Sequence, residues 1–94
     1  MSALLSEDAV AERLGQLPGW QRLGASIRKE FSFDGFPAAV AFVTRLVPPS
    51  EAADHHPDLE IHYRHVVVTY TTHSAGGLTA KDFEGALAAE AAAG

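Results

Sequence analysis

Ile27, Lys29, Phe31 and Phe33 alternate with Arg28, Glu30 and Ser32. Three of the first four are apolar and the other three are polar, the period-two pattern of a strand buried on one face. Leu59 and Ile61 alternate with Glu60 and His62, and Val66, Val68 and Tyr70 alternate with Val67, Thr69 and Thr71. These predict two more strands, joined by a tight turn near Tyr63–His65. A brief strand at Trp20–Leu23, turned by Gly24 and Ala25, completes four. Asp34–Gly35 ends the second.

Between the strands the period lengthens to that of a helix. Ser6 is placed as an N-cap with Glu7 and Asp8 in the first turn, and Val10, Leu14 and Leu17 form a short stripe ending near Gly15–Pro18. Phe36, Ala39, Val40, Val43 and Val47 give a second stripe, with Pro37 in the first turn, where a missing N–H costs nothing. Pro48–Pro49 is expected to stop or kink that helix, because an interior proline costs about 3 kcal/mol. Ser50 would then cap a short further segment carrying Glu51 and Asp54. Ser74–Gly77 reads as a loop. Thr79 caps the last helix, with Asp82 three residues on and Phe83, Ala86 and Leu87 facing inward. The alanine-rich tail, Ala86–Gly94, reads as that helix's fraying end.

The order is α-β-β-α-β-β-α. Short turns between paired strands imply antiparallel pairing. The expected fold is therefore α+β: two layers, with a four-stranded antiparallel sheet and helices on one face. The other face would stay open and partly apolar, a reason to expect subunit contacts.

Composition narrows the function. The 94 residues make one domain, 1–94, with neither repeat nor linker. So small a domain buries only about 60–65 % of its unfolded surface, which favours oligomerisation. A formal charge of −5 argues against direct nucleic-acid binding, which needs clustered Lys and Arg. Zero cysteines exclude disulfides, thiolate metal sites and cysteine nucleophiles. Met1–Leu5 is short and followed by acidic residues, unlike a secretory signal, and no apolar run approaches the ~20 residues that span a bilayer. A cytoplasmic location without membrane attachment is the expectation.

The chemistry concentrates in five histidines, all between positions 55 and 73. His55–His56–Pro57 falls where a helix ends, and Pro57 keeps His56 out of helical geometry. His73 closes the last strand, a junction that can bring it beside the other two. Each of these residues also has an ordinary reading. A single histidine at an element end is usually a surface or capping group. Thr79-x-x-Asp82 is a plain capping box, Glu51 a first-turn acid, and Trp20 a core residue. His62 and His65 read as exposed strand and turn residues. Three histidines and an acid can hold zinc, but the sequence carries no H-E-x-x-H pair, and adjacent histidine side chains diverge. No metal is expected. Ser50 and Ser74 lack a G-x-S-x-G elbow, so hydrolysis by a serine nucleophile is disfavoured.

The segment from Glu51 through Asp54, His55, His56 and Pro57 resembles the signature of the pterin-4a-carbinolamine dehydratases. So does the run from Val66 through Thr72, His73, Gly77, Leu78 and Thr79 to Asp82. Gly19–Trp20, Phe31-x-Phe33 and Ala41–Arg45 resemble that family too, and the likeness extends from about Leu4 to Ala88. The resemblance implies the same α-β-β-α-β-β-α fold and dehydration of a 4a-hydroxytetrahydropterin without metal or cofactor. It implies His55, His56 and His73 as catalytic residues and Glu51, Asp82, Pro57 and Trp20 as substrate-binding residues. It also implies a homodimer or homotetramer. Some relatives are partner-binding proteins, with coactivator or assembly roles, which is the alternative. The chemistry suits histidine, whose side chain ordinarily titrates near pH 6.5 and so offers both acid and base near neutrality. Proton transfer is assigned to His55 and His73, and positioning of the substrate to His56. Three departures stand out: Pro48–Pro49 inside the expected long helix, Leu59 where some members carry an aromatic, and Lys81 where some carry arginine.

Overall fold

The structure, a computed structural model, describes residues 3–94. Met1 and Ser2, part of the segment read above as no secretory signal, lie outside the described residues. The chain runs α1 (Glu7–Gly15), β1 (Gln21–Leu23), β2 (Ser26–Ser32), α2 (Phe36–Ala53), β3 (Asp58–His62), β4 (His65–Tyr70), a single 3-10 turn at His73–Ala75, and α3 (Ala80–Ala93). This is the expected α-β-β-α-β-β-α order.

The four strands pair antiparallel in the order β1-β2-β4-β3. β4 therefore lies inside the sheet, and β1 and β3 form its edges. The register places Ile27 opposite Tyr70 and Phe31 opposite Val66, so one alternating set fills a single face. Ile27, Phe31, Val66, Val68 and Tyr70 are all buried there, beneath Val10 and Leu17, Phe42 and Leu46 of α2, and Phe83 of α3. Burying one such side chain contributes about 1.5–3 kcal/mol, which makes this face the main source of stability. Tyr63 and Arg64 alone link β3 to β4, with Tyr63 in the left-handed region at φ 55°.

Several expectations need correction. α2 is one helix of 18 residues and passes through Pro48 and Pro49. Ser50 therefore lies inside it, buried, and caps nothing. The carbonyls that the prolines leave without N–H partners belong to Thr44 and Arg45, both on exposed residues where water can serve them. Packing of Ala39, Phe42, Leu46 and Ser50 at three- and four-residue spacing holds the last turn in place. That buried stripe is rotated from the expected one. Phe36, Val40 and Val47 are exposed, at 51 %, 38 % and 55 %.

Leu87 is also exposed rather than inward. The alanine tail is ordered helix to Ala93, with Ala89 fully buried and the Ala92 carbonyl accepting from Arg45 Nε at 2.8 Å. The open face of the sheet is polar. Register puts Arg28, Glu30, Asp58, Glu60, His62 and His65 on it, flanking a buried Val67. The exposed apolar surface lies elsewhere, on α2 and on the edge strand β3, where Val47 and Leu59 share a hollow with Pro57. Among the described residues no helix is long and apolar enough to cross a membrane.

Candidate functional site

Helix α2 ends on Asp54, which takes a left-handed conformation (φ 48°, ψ 45°). Aspartate tolerates this region better than most residues. The reversal turns the chain sharply, and the His55 N–H still donates to the Ser50 carbonyl at 3.1 Å. His55 thus leaves the helix pointing back into the fold, and His56 and Pro57 lead into β3.

The end of β4 is fixed independently. Thr72 pairs with Gly77 across an isolated bridge. Its carbonyl accepts from Ala75 N at 3.1 Å and Gly76 N at 3.0 Å. This closes a one-turn loop that carries His73 at its start. Thr79 then opens α3 as N-cap, with a complete capping box to Asp82.

These segments converge on Asp82. Its carboxylate has no exposed surface. Oδ1 lies 2.8 Å from His55 Nε2. Oδ2 accepts from the Thr72 hydroxyl at 2.8 Å and from the Thr79 N–H at 2.9 Å. The two threonine hydroxyls are themselves 2.8 Å apart. Buried acceptors of this kind need partners, and this one has three. An ionised carboxylate oxygen only accepts, so against it the His55 Nε2 is the donor. The ordinary reading of Asp82 as a capping-box acid is therefore correct and incomplete, since one oxygen caps and the other orients a histidine.

The His55 ring stacks on Tyr70, with centroids 6.0 Å apart and planes 20° from parallel. Burial pushes the Tyr70 phenol up to about 12, so it stays protonated at neutral pH. A cavity of about 390 Å³ lies beside this pair, between the end of α2 and α3, and Ser50, Lys81, Glu84 and Gly85 also line it.

His56 forms a second, more exposed unit. Its Nε2 is 2.5 Å from Glu51 Oε2. Glu51 reaches it because α2 continues past the two prolines for one more turn. A hollow of about 170 Å³ beside them includes Pro57 and Leu59. His73 is exposed and takes no side-chain hydrogen bond from the described residues. It fronts an open hollow with Ser26, Thr71 and Gly76.

Thus His55 joins Asp82, His56 joins Glu51 and Pro57, and His73 follows directly on Thr72, a partner of Asp82. Trp20 is placed apart from them. It is a core residue whose Nε1 donates to Glu90 at 3.1 Å, and its ring packs near Phe31 and Tyr70. Among the described residues no group of three or more histidine or acidic side chains is gathered to hold a metal ion. Sequence reasoning missed Thr72, Thr79 and Tyr70 as parts of the site. The available signals were the alternation that turns Tyr70 inward and the capping-box spacing that ties Thr79 to Asp82.

With that geometry in hand, similarity to known proteins takes on meaning. Residues 3–92 match the family model described as pterin 4 alpha carbinolamine dehydratase. A relative from Roseiflexus castenholzii, named for that family, is 51 % identical over 84 residues, covering 89 % of this chain and 90 % of the relative. One from Picosynechococcus is 48 % identical over the same length. A crystal structure of a transcriptional coactivator/pterin dehydratase from Brucella melitensis superposes with a TM-score of 0.92 at 36 % identity, covering 96 % of this chain and 98 % of that one. A pterin dehydratase-like protein described as a RuBisCO assembly factor in the alpha-carboxysome shares the fold, with a TM-score of 0.65 at 24 % identity.

Proposed function

The chain belongs to the pterin-4a-carbinolamine dehydratase family, and we propose that it dehydrates a 4a-hydroxytetrahydropterin to quinonoid dihydropterin and water. In this role it would recycle the cofactor of aromatic amino-acid hydroxylases. The observation that carries the reading is the buried Asp82 carboxylate, which sets the ring of His55 while Thr72, one of its partners, directly precedes His73.

The reaction breaks the C4a–O bond and removes a proton from the adjacent ring nitrogen, so that a C=N bond forms and water leaves. Hydroxide is a poor leaving group, so an acid must deliver a proton as the bond breaks. A separate base takes the nitrogen's proton. One well-placed proton-transfer group typically contributes about 10²–10⁴-fold. His55 exchanges its proton through Nδ1, because Nε2 is committed to Asp82. His73, exposed at the start of its turn, is the second proton-transfer group. His56, braced by Glu51, positions the pterin, with Glu51 and Pro57 beside it in the substrate-binding set; Asp82, wholly buried, serves that set through His55, and Trp20 is the family's matching aromatic. Trp20 acts from the core by backing Tyr70. No step calls for a metal or a cofactor.

The reading includes a homodimer or homotetramer, supported by the exposed apolar residues on α2 and on the unpaired edge of β3, Val47, Leu59 and Ile61 among them. It also includes a cytoplasmic location, which suits a chain with zero cysteines. The second reading is a partner-binding module. The same exposed residues favour it, because the open sheet face, polar as it is, lacks the apolar area a docking partner would bury.

The experiment is dehydration of 4a-hydroxytetrahydropterin followed by absorbance, for wild type, His55→Ala and His73→Ala. Wild type should exceed the spontaneous rate, and each variant should lose roughly 10²-fold or more while remaining folded. A correctly folded wild type no faster than the spontaneous reaction would sink the enzyme and leave the binding module.

A further inference from the structure

Gly85 sits in the middle of α3, where glycine is among the least favourable residues for a helix. It is neither a cap nor at a positive φ. Its neighbour supplies the reason. A Cβ at position 85 would lie 2.5 Å from Cε1 of Tyr70, 2.7 Å from Cζ and 2.8 Å from Cδ1. The ring of Tyr70 therefore rests directly on the helix backbone, in space that any side chain would take.

Tyr70 is 2 % exposed, and the His55 ring stacks on it. His55 is thereby held in two independent ways. The hydrogen bond to Asp82 fixes one nitrogen in the plane of the ring. The Tyr70 ring, near parallel to the imidazole at 6.0 Å between centroids, borders the ring on a second side and limits the swing that a single hydrogen bond leaves free. Leucine or valine would fill the volume but would offer no flat surface to the imidazole. Sheet geometry delivers Tyr70 to this spot: opposite Ile27 on β2, it is the last inward-facing residue of β4.

We propose that Tyr70, admitted by Gly85, is the positioning residue that sets the orientation of the His55 imidazole for proton transfer. This rests on His55 being a proton-transfer group, as proposed above. The ring performs the task, and the hydroxyl is dispensable, having no hydrogen-bond partner among the described residues. Because Tyr70 acts through His55, its loss should lower kcat and leave substrate binding nearly intact.

The test uses the full chain with Tyr70→Phe, Tyr70→Leu and Gly85→Ala. It measures kcat and KM for pterin dehydration, and the proton shifts of the His55 ring by NMR. Tyr70→Leu should lower kcat by roughly 10–10²-fold with KM within about twofold, the scale of a catalytic group misplaced by an ångström. The His55 ring-proton shifts should change, because the imidazole loses its near-parallel neighbour and is reoriented. Tyr70→Phe should keep both properties. Gly85→Ala, which displaces the ring without altering it, should move both in the direction of Tyr70→Leu, and it serves if Tyr70→Leu does not fold. Unchanged kcat and unchanged His55 shifts in folded Tyr70→Leu or Gly85→Ala would overturn the proposal. So would a Tyr70→Phe as impaired as Tyr70→Leu, which would transfer the role to the hydroxyl. If wild type has no dehydratase activity, the functional reading fails, and the NMR shifts alone still decide whether Tyr70 orients His55.

Discussion

Nε2 of His55 and Oδ1 of Asp82 stand 2.8 Å apart, on residues 27 positions distant in the chain. The carboxylate is wholly buried and the imidazole nearly so. Asparagine at position 82 would keep the shape and change the proton logic. Its carbonyl oxygen can still accept from Thr72 and Thr79, which leaves its NH₂ facing His55. That group donates, so the imidazole must present a bare Nε2 and carry its hydrogen on Nδ1. Asp82→Asn should therefore fold and lose roughly 10²-fold or more in kcat/KM. Nitrogen-15 shifts of the His55 ring should report the reversed tautomer. An active Asp82→Asn, or one with the wild-type tautomer, would contradict the assignment.

Thr72 offers a finer probe of the same carboxylate. Thr72→Val keeps the branched shape and removes one donor from a buried acceptor. That costs about 1–3 kcal/mol, visible as a lower urea midpoint. Thr72→Ser should recover most of it, because the hydroxyl returns. If Val and Ser lose equally, the methyl packing matters and the hydrogen bond does not.

The prolines of α2 give a prediction of opposite sign. Pro48 is exposed and stands inside a continuous helix. Alanine there restores an intrahelical hydrogen bond and removes the clash, against a loss of chain stiffness worth about 0.4–1 kcal/mol in the unfolded state. Interior proline costs about 3 kcal/mol, so Pro48→Ala should stabilise by about 2 kcal/mol in urea unfolding. A destabilised variant would mean that the helix is shaped around its prolines.

Tyr70 predicts a pH dependence. Burial raises its pKa from the ordinary 10 to about 12. Below pH 10 the phenol is protonated in both states, and its stabilising preference for the folded form is fully present. Between pH 10 and 12 the unfolded chain releases this proton and the folded chain keeps it, so stability falls as pH rises, by up to about 1.4 kcal/mol per pH unit. Tyr70→Phe lacks this term. Wild type should therefore lose more stability than Tyr70→Phe between pH 9.5 and 11, by urea midpoints. Parallel curves would show that the phenol is not desolvated.

Ile61 lies on the unpaired edge strand, 42 % exposed. A lysine there places charge on the surface proposed for self-association, as natural edge strands do to prevent pairing. Ile61→Lys should reduce the mass seen by light scattering toward that of one chain, leaving the fold intact by circular dichroism. An unchanged mass would move the interface elsewhere.

Much of this architecture could be read from residue order alone. Alternation at Ile27–Phe33 and Val66–Thr71 located the inner strands, because a sheet buried on one face leaves a period-two trace. Thr79-x-x-Asp82 located the start of α3, because capping is local chemistry. What could not be read depended on contacts distant in sequence. Local propensity ends α2 at Pro48, but Leu46 and Ser50 packed on the core carry the helix on. Helical spacing admits Leu87 and Val47 to the interior, but neighbouring alanines and Phe42 take that space. The two-layer architecture implied a partly apolar open face, but charged neighbours from β2 and β3 surround Val67 there. In the site, three histidines and two acids were visible as residue types. Their pairing was not, since Asp82 meets His55 only after α3 folds back beneath β4.

One carboxylate with two duties also ties the proposed chemistry to the integrity of a helix start. When the first turn of α3 unwinds, Asp82 is withdrawn from His55 in the same motion. Helix ends commonly open before cores, so molecules in which this turn opened first would be folded elsewhere and without the His55–Asp82 contact. The fraction of such molecules grows with temperature ahead of the global transition. Activity should therefore fade on warming while circular dichroism still reports an intact domain, and a stronger cap at Thr79 would extend the working range of the site without touching a histidine.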